Sequence, residues 1–543
     1  MTPQRTRWPF FIALVLGVSA VAVLSYFILS DQKGEAVPAS GGHYTEGVTR
    51  APDRINPLFS SANQTDADIS SLVFSGLVRL GPDGTPEPDL AERWEVTGNG
   101  QSYVFHLREG IAWQDGEPFT SDDVVFTFRA IADPNFKGDP ALAQLMQGVV
   151  VTARDPLTVE FKLEQAYAPF LAYLTVGILP RHLLDGMDAN QLFNAAFNTH
   201  PVGTGPYSFG TSTTTGVTLK SNSTYYLGPP KISTFEFRLF ADQPTLLAAL
   251  RSQDIDGALL DTASKSDLDG LASDGHYTMH TMAGSAYDII YLDTRSPIFS
   301  DPHVRAALQR ALDVQTLMTL TGTGRAAPAV SGIPAGSWAY SKAELPAFDP
   351  GAAASALEKA GWARQSNGVR SNGGQALSFT LSATNDPSSL AIAKEIAGEW
   401  RAIGADVTVQ QLDASTFVND ELLPRKFQAA LAVVDPGPDP DPYPFWHSSQ
   451  ITPPGRNLAS YSDSRIDDVL ERARQTTDNQ RRKDLYTLFQ NYFLADMPSI
   501  PLFAPSSIYV QSTRVQGFSG SLLFTPASRF TTVAGWYVDT RTK

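Results

Sequence analysis

The stretch Tyr103-Val104-Phe105-His106-Leu107-Arg108-Glu109-Gly110-Ile111-Ala112-Trp113-Gln114-Asp115-Gly116-Glu117-Pro118-Phe119-Thr120-Ser121-Asp122-Asp123-Val124 carries the pattern from which the fold can be read. Its opening residues alternate faces as a strand does, and Glu109-Gly110 reads as the turn that ends it. Asp115-Gly116 followed by Pro118 predicts a second turn. Thr120 to Asp123 then offers hydroxyl and carboxylate caps to the apolar run Val124-Val125-Phe126-Thr127-Phe128, so a helix should follow. The same alternation continues outward. Asp301-Pro302 opens a helix whose apolar residues Val304, Ala307, Leu308, Ala311 and Leu312 fall three and four apart. Ala391 to Ile403 reads as another helix, stopped by Gly404, after which Val407-Thr408-Val409 resumes as a strand. Ile466 to Ala473 and Arg482 to Leu494 read as two more amphipathic helices, and the chain becomes extended around Ile500, Leu502 and Phe503. Strands and helices alternate without a fixed period, which predicts a mixed α/β fold and no repeat architecture.

The chain has 543 residues, 42% hydrophobic and 18% charged, which is core-forming composition and not that of a disordered segment. At about 150 residues per domain it holds material for roughly three to four domains. With 41 Lys and Arg against 56 Asp and Glu, the net charge is −15, which repels phosphate backbones, so no nucleic-acid partner is expected. There is no cysteine, which removes disulfides, thiolate metal sites and cysteine nucleophiles together.

Arg5 and Arg7 precede an uncharged run from Phe10 to Leu29, long enough to span a bilayer core. The small-x-small candidates for cleavage, Gly34-Glu35-Ala36 and Val37-Pro38-Ala39, lie beyond Asp31 and Lys33. Residues 1–30 are therefore expected to act as an uncleaved anchor, with 10–29 in the bilayer; a cleaved signal peptide is the alternative. Positive charge ahead of the span places everything after Ser30 outside the cytoplasm, on the outer face of the cytoplasmic membrane. Residues 31–42, with Gly34, Pro38, Ser40, Gly41 and Gly42, read as a flexible linker.

Motifs for catalysis are missing or misplaced. No Gly-x-Ser-x-Gly elbow occurs, and Gly322-Thr323-Gly324-Arg325 runs into Pro328 where a dinucleotide site would open a helix. His276 and His280 are four apart, but Gly275 and β-branched neighbours argue against the helix that would bring them together. Asp435, Asp439 and Asp441 lack the glycine and glutamate of a calcium loop. No enzyme activity, metal or cofactor is expected. The segment Asp435-Pro436-Gly437-Pro438-Asp439-Pro440-Asp441-Pro442-Tyr443-Pro444-Phe445-Trp446-His447 is too rich in proline for a helix or a central strand. It should form a rigid loop behind the strand-like run Ala429 to Val434, at the mouth of a sheet, where α/β proteins commonly hold ligands. Asp435, Gly437, Asp439, Tyr443 and Trp446 of this loop, with Tyr287, are the candidate ligand-binding residues.

Leu90-Ala91-Glu92-Arg93-Trp94-Glu95 together with the stretch quoted first closely resembles the signature of family 5 solute-binding proteins of ABC importers, the group of oligopeptide- and dipeptide-binding proteins. Val202-Gly203-Thr204-Gly205-Pro206-Tyr207, Ile255-Asp256-Gly257, Pro302 to Leu308, Ala360-Gly361-Trp362 and Trp446-His447-Ser448-Ser449 match in the family's order, from about Gly42 to Phe503. The resemblance implies a two-lobed periplasmic-binding-protein-like fold of type II, in its three-domain variant. Residues 43–79, 200–292 and 505–543 would form lobe one, 80–199 a domain inserted in it, and 293–504 lobe two. It further implies a monomer that closes on a short peptide and delivers it to the permease subunits of an ABC importer, with a loop aspartate pairing with the ligand ammonium. A gapless count from Phe427 puts that position on Gly437, between Asp435 and Asp439, and Val433-Val434 stand where the family carries tryptophan. A sugar, a metal chelate or a signalling peptide are alternative solutes for the same fold, and an exported hydrolase is a more distant alternative.

If residues 10–29 anchor the chain, sequencing of the protein recovered from membranes should begin at Met1. A start near Val37 or Ser40 would show that the segment is cleaved.

Overall fold

In the computed structural model, which describes residues 36–520, 522–538 and 540–542, one long strand organises the molecule. Ser499–Ser512, 14 residues, pairs through its first part with Tyr287–Leu292 and through its second part with Gly257–Leu260 and Tyr277–Gly284. One half of the resulting sheet continues through Ala429–Val434, Ser378–Thr384 and Asp406–Leu412. The other continues through Gly41–Val48, Ile232–Leu239, Gly216–Ser221 and Tyr207–Thr213. The backbone of a single strand thus serves both halves.

The lobe boundary expected after Leu292 lies earlier in the structure. Tyr287–Leu292 is hydrogen-bonded to Ala429–Val434 and so belongs with the second half, leaving only Ser285 and Ala286 between it and the last strand of the first half. The physical reason is burial: Tyr287, Ile289, Ile290, Tyr291 and Leu292 are each at most 2% exposed, so both faces of this strand need cover. Helix Pro302–Arg310, capped by Asp301, and helix Pro387–Ala402, capped by Asp386, supply part of it.

Ala91–Thr97, Ser102–Leu107, Thr158–Lys162 and Val150–Asp155 form a separate four-stranded antiparallel sheet. Gly110, at φ 73°, turns the chain out of this sheet. Helix Ser121–Ile131 begins where its caps predict: the Thr120 backbone N–H donates to Asp123 Oδ2 at 2.9 Å. Gly203 and Gly205, in one of the segments that match the family, serve a close approach. A Cβ on Gly203 would lie 1.9 Å from the Val73 carbonyl oxygen, and one on Gly205 2.6 Å from that of Leu72, so the two glycines let this segment press against the end of helix Gln64–Val73.

The carboxyl-terminal segment is tied in by charge. Arg529, 1% exposed, donates to Glu46 Oε1 at 2.9 Å and to Asp68 Oδ2 at 2.6 Å, both carboxylates being fully buried. Tyr44 and Tyr509 complete the network, each donating to Glu46 Oε2, at 2.9 and 3.2 Å. Two buried carboxylates that share one guanidinium depend on it for neutralisation. Arg529→Ala should therefore lower unfolding stability in urea by about 3–5 kcal/mol. A loss under about 1 kcal/mol would mean that the network is not a structural tie.

Candidate functional site

The strand Ala429–Val434 ends at the border between two cavities. Leu431, Ala432 and Val433 line one of about 400 Å³, which also reaches Asp288, Asp386 and Pro505. Four residues beyond Val434, Pro438 lines a second of about 730 Å³, walled by Ser70 and Ser71 of helix Gln64–Val73 and Phe74 just past its end, by Thr175 to Gly177 and by residues of the segment from Phe524 to Gly535. The loop that starts at Asp435 therefore runs from the second half of the sheet to a cavity of the first. Val433, 63% exposed, presents an apolar surface where the strand meets the loop.

Individual loop residues have distinct surroundings. Asp435 is exposed; its Oδ1 accepts the Gly437 backbone N–H at 2.9 Å, and among the described residues it forms no ion pair. Gly437, at φ 76°, lies close to the Tyr173 hydroxyl: a Cβ there would be 3.6 Å from it. Asp439 is different. It is 3% exposed and takes both terminal nitrogens of buried Arg482, at 3.1 and 2.8 Å, while Arg482 also donates to the Tyr486 hydroxyl at 2.9 Å. Asp441 accepts from Arg474 at 2.7 Å, and that guanidinium lies 3.8 Å from the Tyr443 ring and 5.2 Å from the ring of Tyr167. Arg474 thereby links the loop to the segment beside the four-stranded sheet.

Four candidates from the sequence, Asp439, Trp446, Tyr287 and Tyr443, are engaged within the protein and line neither cavity. Asp439 is neutralised by Arg482, so its charge is not free for a ligand. Trp446, fully buried, packs edge-on to Phe493 at 4.8 Å, and Tyr287 is 1% exposed in the same core. Tyr443 is half-buried and stacks on His447 at 4.1 Å. The segment also is not loop throughout: Tyr443–Trp446 forms a short helix, which its prolines permit because Pro442 and Pro444 fall at the amino-terminal turn, where missing N–H groups leave no bond unmade. Asp435 and Gly437 line neither cavity themselves but lie between Val433, in the wall of the smaller one, and Pro438, in the wall of the larger.

The sequence reading passed over Asp288. It lines the smaller cavity, its carboxylate has neither a hydrogen-bond nor an ion-pair partner among the described residues, and burial, with Asp386 nearby, pushes its carboxyl up to about 7. A lone acid in the apolar strand Tyr287-Asp288-Ile289-Ile290 was the available signal. Asp89 in the larger cavity is likewise raised by burial, to about 6, although the Tyr226 hydroxyl bonded to it opposes the shift. The lining residues of both cavities are hydroxyls, carboxylates and apolar side chains with a single arginine, Arg79, and neither wall has a histidine. Among the described residues no group of three or more His, Asp or Glu is placed to hold a metal ion.

An α/β molecule whose halves share one crossing strand, with cavities on either side of a rigid loop, is built as a solute-binding protein. The chain belongs to the bacterial extracellular solute-binding proteins, family 5, whose middle-region model matches residues 85–453. It is 30% identical to Protein XP55 of Streptomyces lividans over 96% of both chains. It is 26% identical to the oligopeptide-binding protein AppA of Bacillus subtilis strain 168, over 90% of this chain and 91% of that one. Among solved structures, NikZ from Campylobacter jejuni in complex with Ni(L-His) is 27% identical, with a TM-score of 0.67 over 91% of this chain and 99% of NikZ. Members of this family act outside the cytoplasm, and the chain is an extracytoplasmic binding protein and not an enzyme. The expected anchor, residues 10–29, lies outside the described residues, among which no helix is long and apolar enough to cross a membrane.

The loop's acids should separate cleanly in stability measurements. Asp439→Asn leaves Arg482 buried without a counter-charge and should cost about 3–5 kcal/mol. Asp435→Asn should leave the urea midpoint unchanged. Equal midpoints for both variants would contradict the assignment of Asp439 to the core.

Proposed function

We propose that the chain binds a short peptide between the two halves of its sheet and hands it to the permease subunits of an ABC importer, acting as a monomer tethered to the outer face of the cytoplasmic membrane by residues 10–29. The observation that carries this reading is the course of the chain after Val433, which lines the smaller cavity, through the loop to Pro438, which lines the larger. A solute seated there touches both lobes, and contacts made on both sides only when the lobes are closed favour the closed state over the open one. The transporter then meets a shape that reports occupancy. AppA, named an oligopeptide-binding protein, supports a peptide as the solute.

In this reading Asp435 receives the ligand's amino group, with Gly437 allowing close approach and Val433 offering an apolar contact. The four prolines Pro436, Pro438, Pro440 and Pro442, and the ion pairs of Asp439 and Asp441, hold the loop in place before the ligand arrives, so little ordering entropy is lost on binding. A metal chelate is the second reading, because NikZ was solved with Ni(L-His).

Calorimetry with alanine peptides of two to five residues and with Ni(L-His) separates the two. The peptides should bind and the chelate should not, and the reverse pattern would overturn the peptide reading. On the tightest-binding peptide, Asp435→Asn should weaken affinity by about 2–5 kcal/mol, the range for a desolvated charge pair losing one partner. Acetylating the peptide's amino terminus should have a similar effect on the unaltered protein. Unchanged affinity in both experiments would remove Asp435 as the anchor.

A further inference from the structure

The smaller cavity has a chemistry of its own. Ile392, Phe417, Leu422 and Val433 give it an apolar lining, Asp288 and Asp386 supply carboxylates, and Thr384 and Ser388 supply hydroxyls; Val433 is the cross-strand partner of Asp288, so apolar and acidic contacts lie side by side. Asp386 is occupied: it caps helix Pro387–Ala402, accepting the Ser389 N–H at 2.9 Å, and also accepts the Thr384 hydroxyl. Asp288 is not. Its carboxylate accepts no hydrogen bond from the described residues. The strand Ala429–Val434, the crossing strand, helix Pro387–Ala402, the turn Phe417–Leu422 and the Thr321–Gly322 segment all contribute to the wall, and Asp386 is the one other charged residue among them that lines it. A partly buried acid with no cation beside it is an unfavourable arrangement in a free protein and a favourable one once a cation arrives.

We propose that this cavity receives the side chain of a lysine or arginine of the bound peptide, with the methylenes against the apolar wall and the cation on Asp288. Long basic side chains have this division between an apolar stem and a charged tip. The cavity begins at Val433, and Asp435 lies two residues further on, so a basic residue near the peptide's amino terminus reaches it while the amino group meets Asp435. The position of Asp288 also gives the interaction a direction in pH. Burial, with Asp386 nearby, pushes its carboxyl up to about 7, and a bound cation favours the ionised form, so affinity for a basic peptide rises from pH 6 to pH 8. This specificity rests on the peptide reading above.

The test uses the full chain and alanine peptides of three to five residues in which each position in turn is lysine, norleucine or glutamate. At pH 8 the best lysine peptide should bind about tenfold more tightly than its norleucine counterpart, which has the same stem without the charge, and the glutamate peptide should be weakest. Asp288→Asn should bring the lysine and norleucine peptides to within about threefold of each other. If that variant does not fold, the pH series on the unaltered chain decides, since the preference for lysine over norleucine should grow between pH 6 and pH 8. Equal affinities for lysine and norleucine peptides, a preference that survives Asp288→Asn, or one that is flat in pH overturns the basic-residue pocket and leaves peptide binding standing. Failure of every peptide to bind overturns both.

Discussion

The backbone ladder of Ser499–Ser512 is the constraint on which the remaining structure depends. A strand can pair along its length with one neighbour on each edge, and this one changes neighbours part-way: up to Phe503 it serves Tyr287–Leu292, and from Ser506 onward it serves Tyr277–Gly284 and Gly257–Leu260. Pro505, exposed at the changeover, lacks the N–H that an uninterrupted ladder would require. The return connection is equally short, Ser285 and Ala286. Two short backbone crossings therefore join the halves, and rotation at a few residues can open or close the space between them.

Charge placement in the loop follows from that geometry. In the proposed reading the loop faces a solute across a cleft, with little core beneath it on that side, and it is held from behind. Arg482 and Arg474, both from the helical part of the second half, engage Asp439 and Asp441 and pull the middle of the loop inward. Asp435 precedes these ties and stays in solvent. Three acids of one loop are thus divided between holding the loop and facing outward, and the division is set by which of them lies over the helices Ser464–Gln475 and Asn479–Asp496.

Local features were legible in the sequence because local physics produces them. The cap and apolar spacing at Thr120 to Phe128, the Asp301-Pro302 helix start and the proline density after Val434 all depend on neighbours within a few residues. The family was legible too, through motifs kept in order along the chain. Less legible were features that depend on distant partners. Arg482 is far along the chain from Asp439, and nothing in the loop announces the pairing. Trp446 read as a cavity wall because a large ring on a loop suits one, but Phe493 of a later helix covers it. The allocation of Tyr287–Leu292 turned on its bonding to Ala429–Val434, which depends on strand order. Gly203 and Gly205 are required by the approach of Val73 and Leu72, which lie far from them along the chain.

Native mass spectrometry of the full chain, purified without added solute and then fragmented in the gas phase, tests most directly what the cleft holds. The account predicts released species whose fragments are ladders of amino-acid residues. A sugar or a nickel chelate released from the same protein would contradict it.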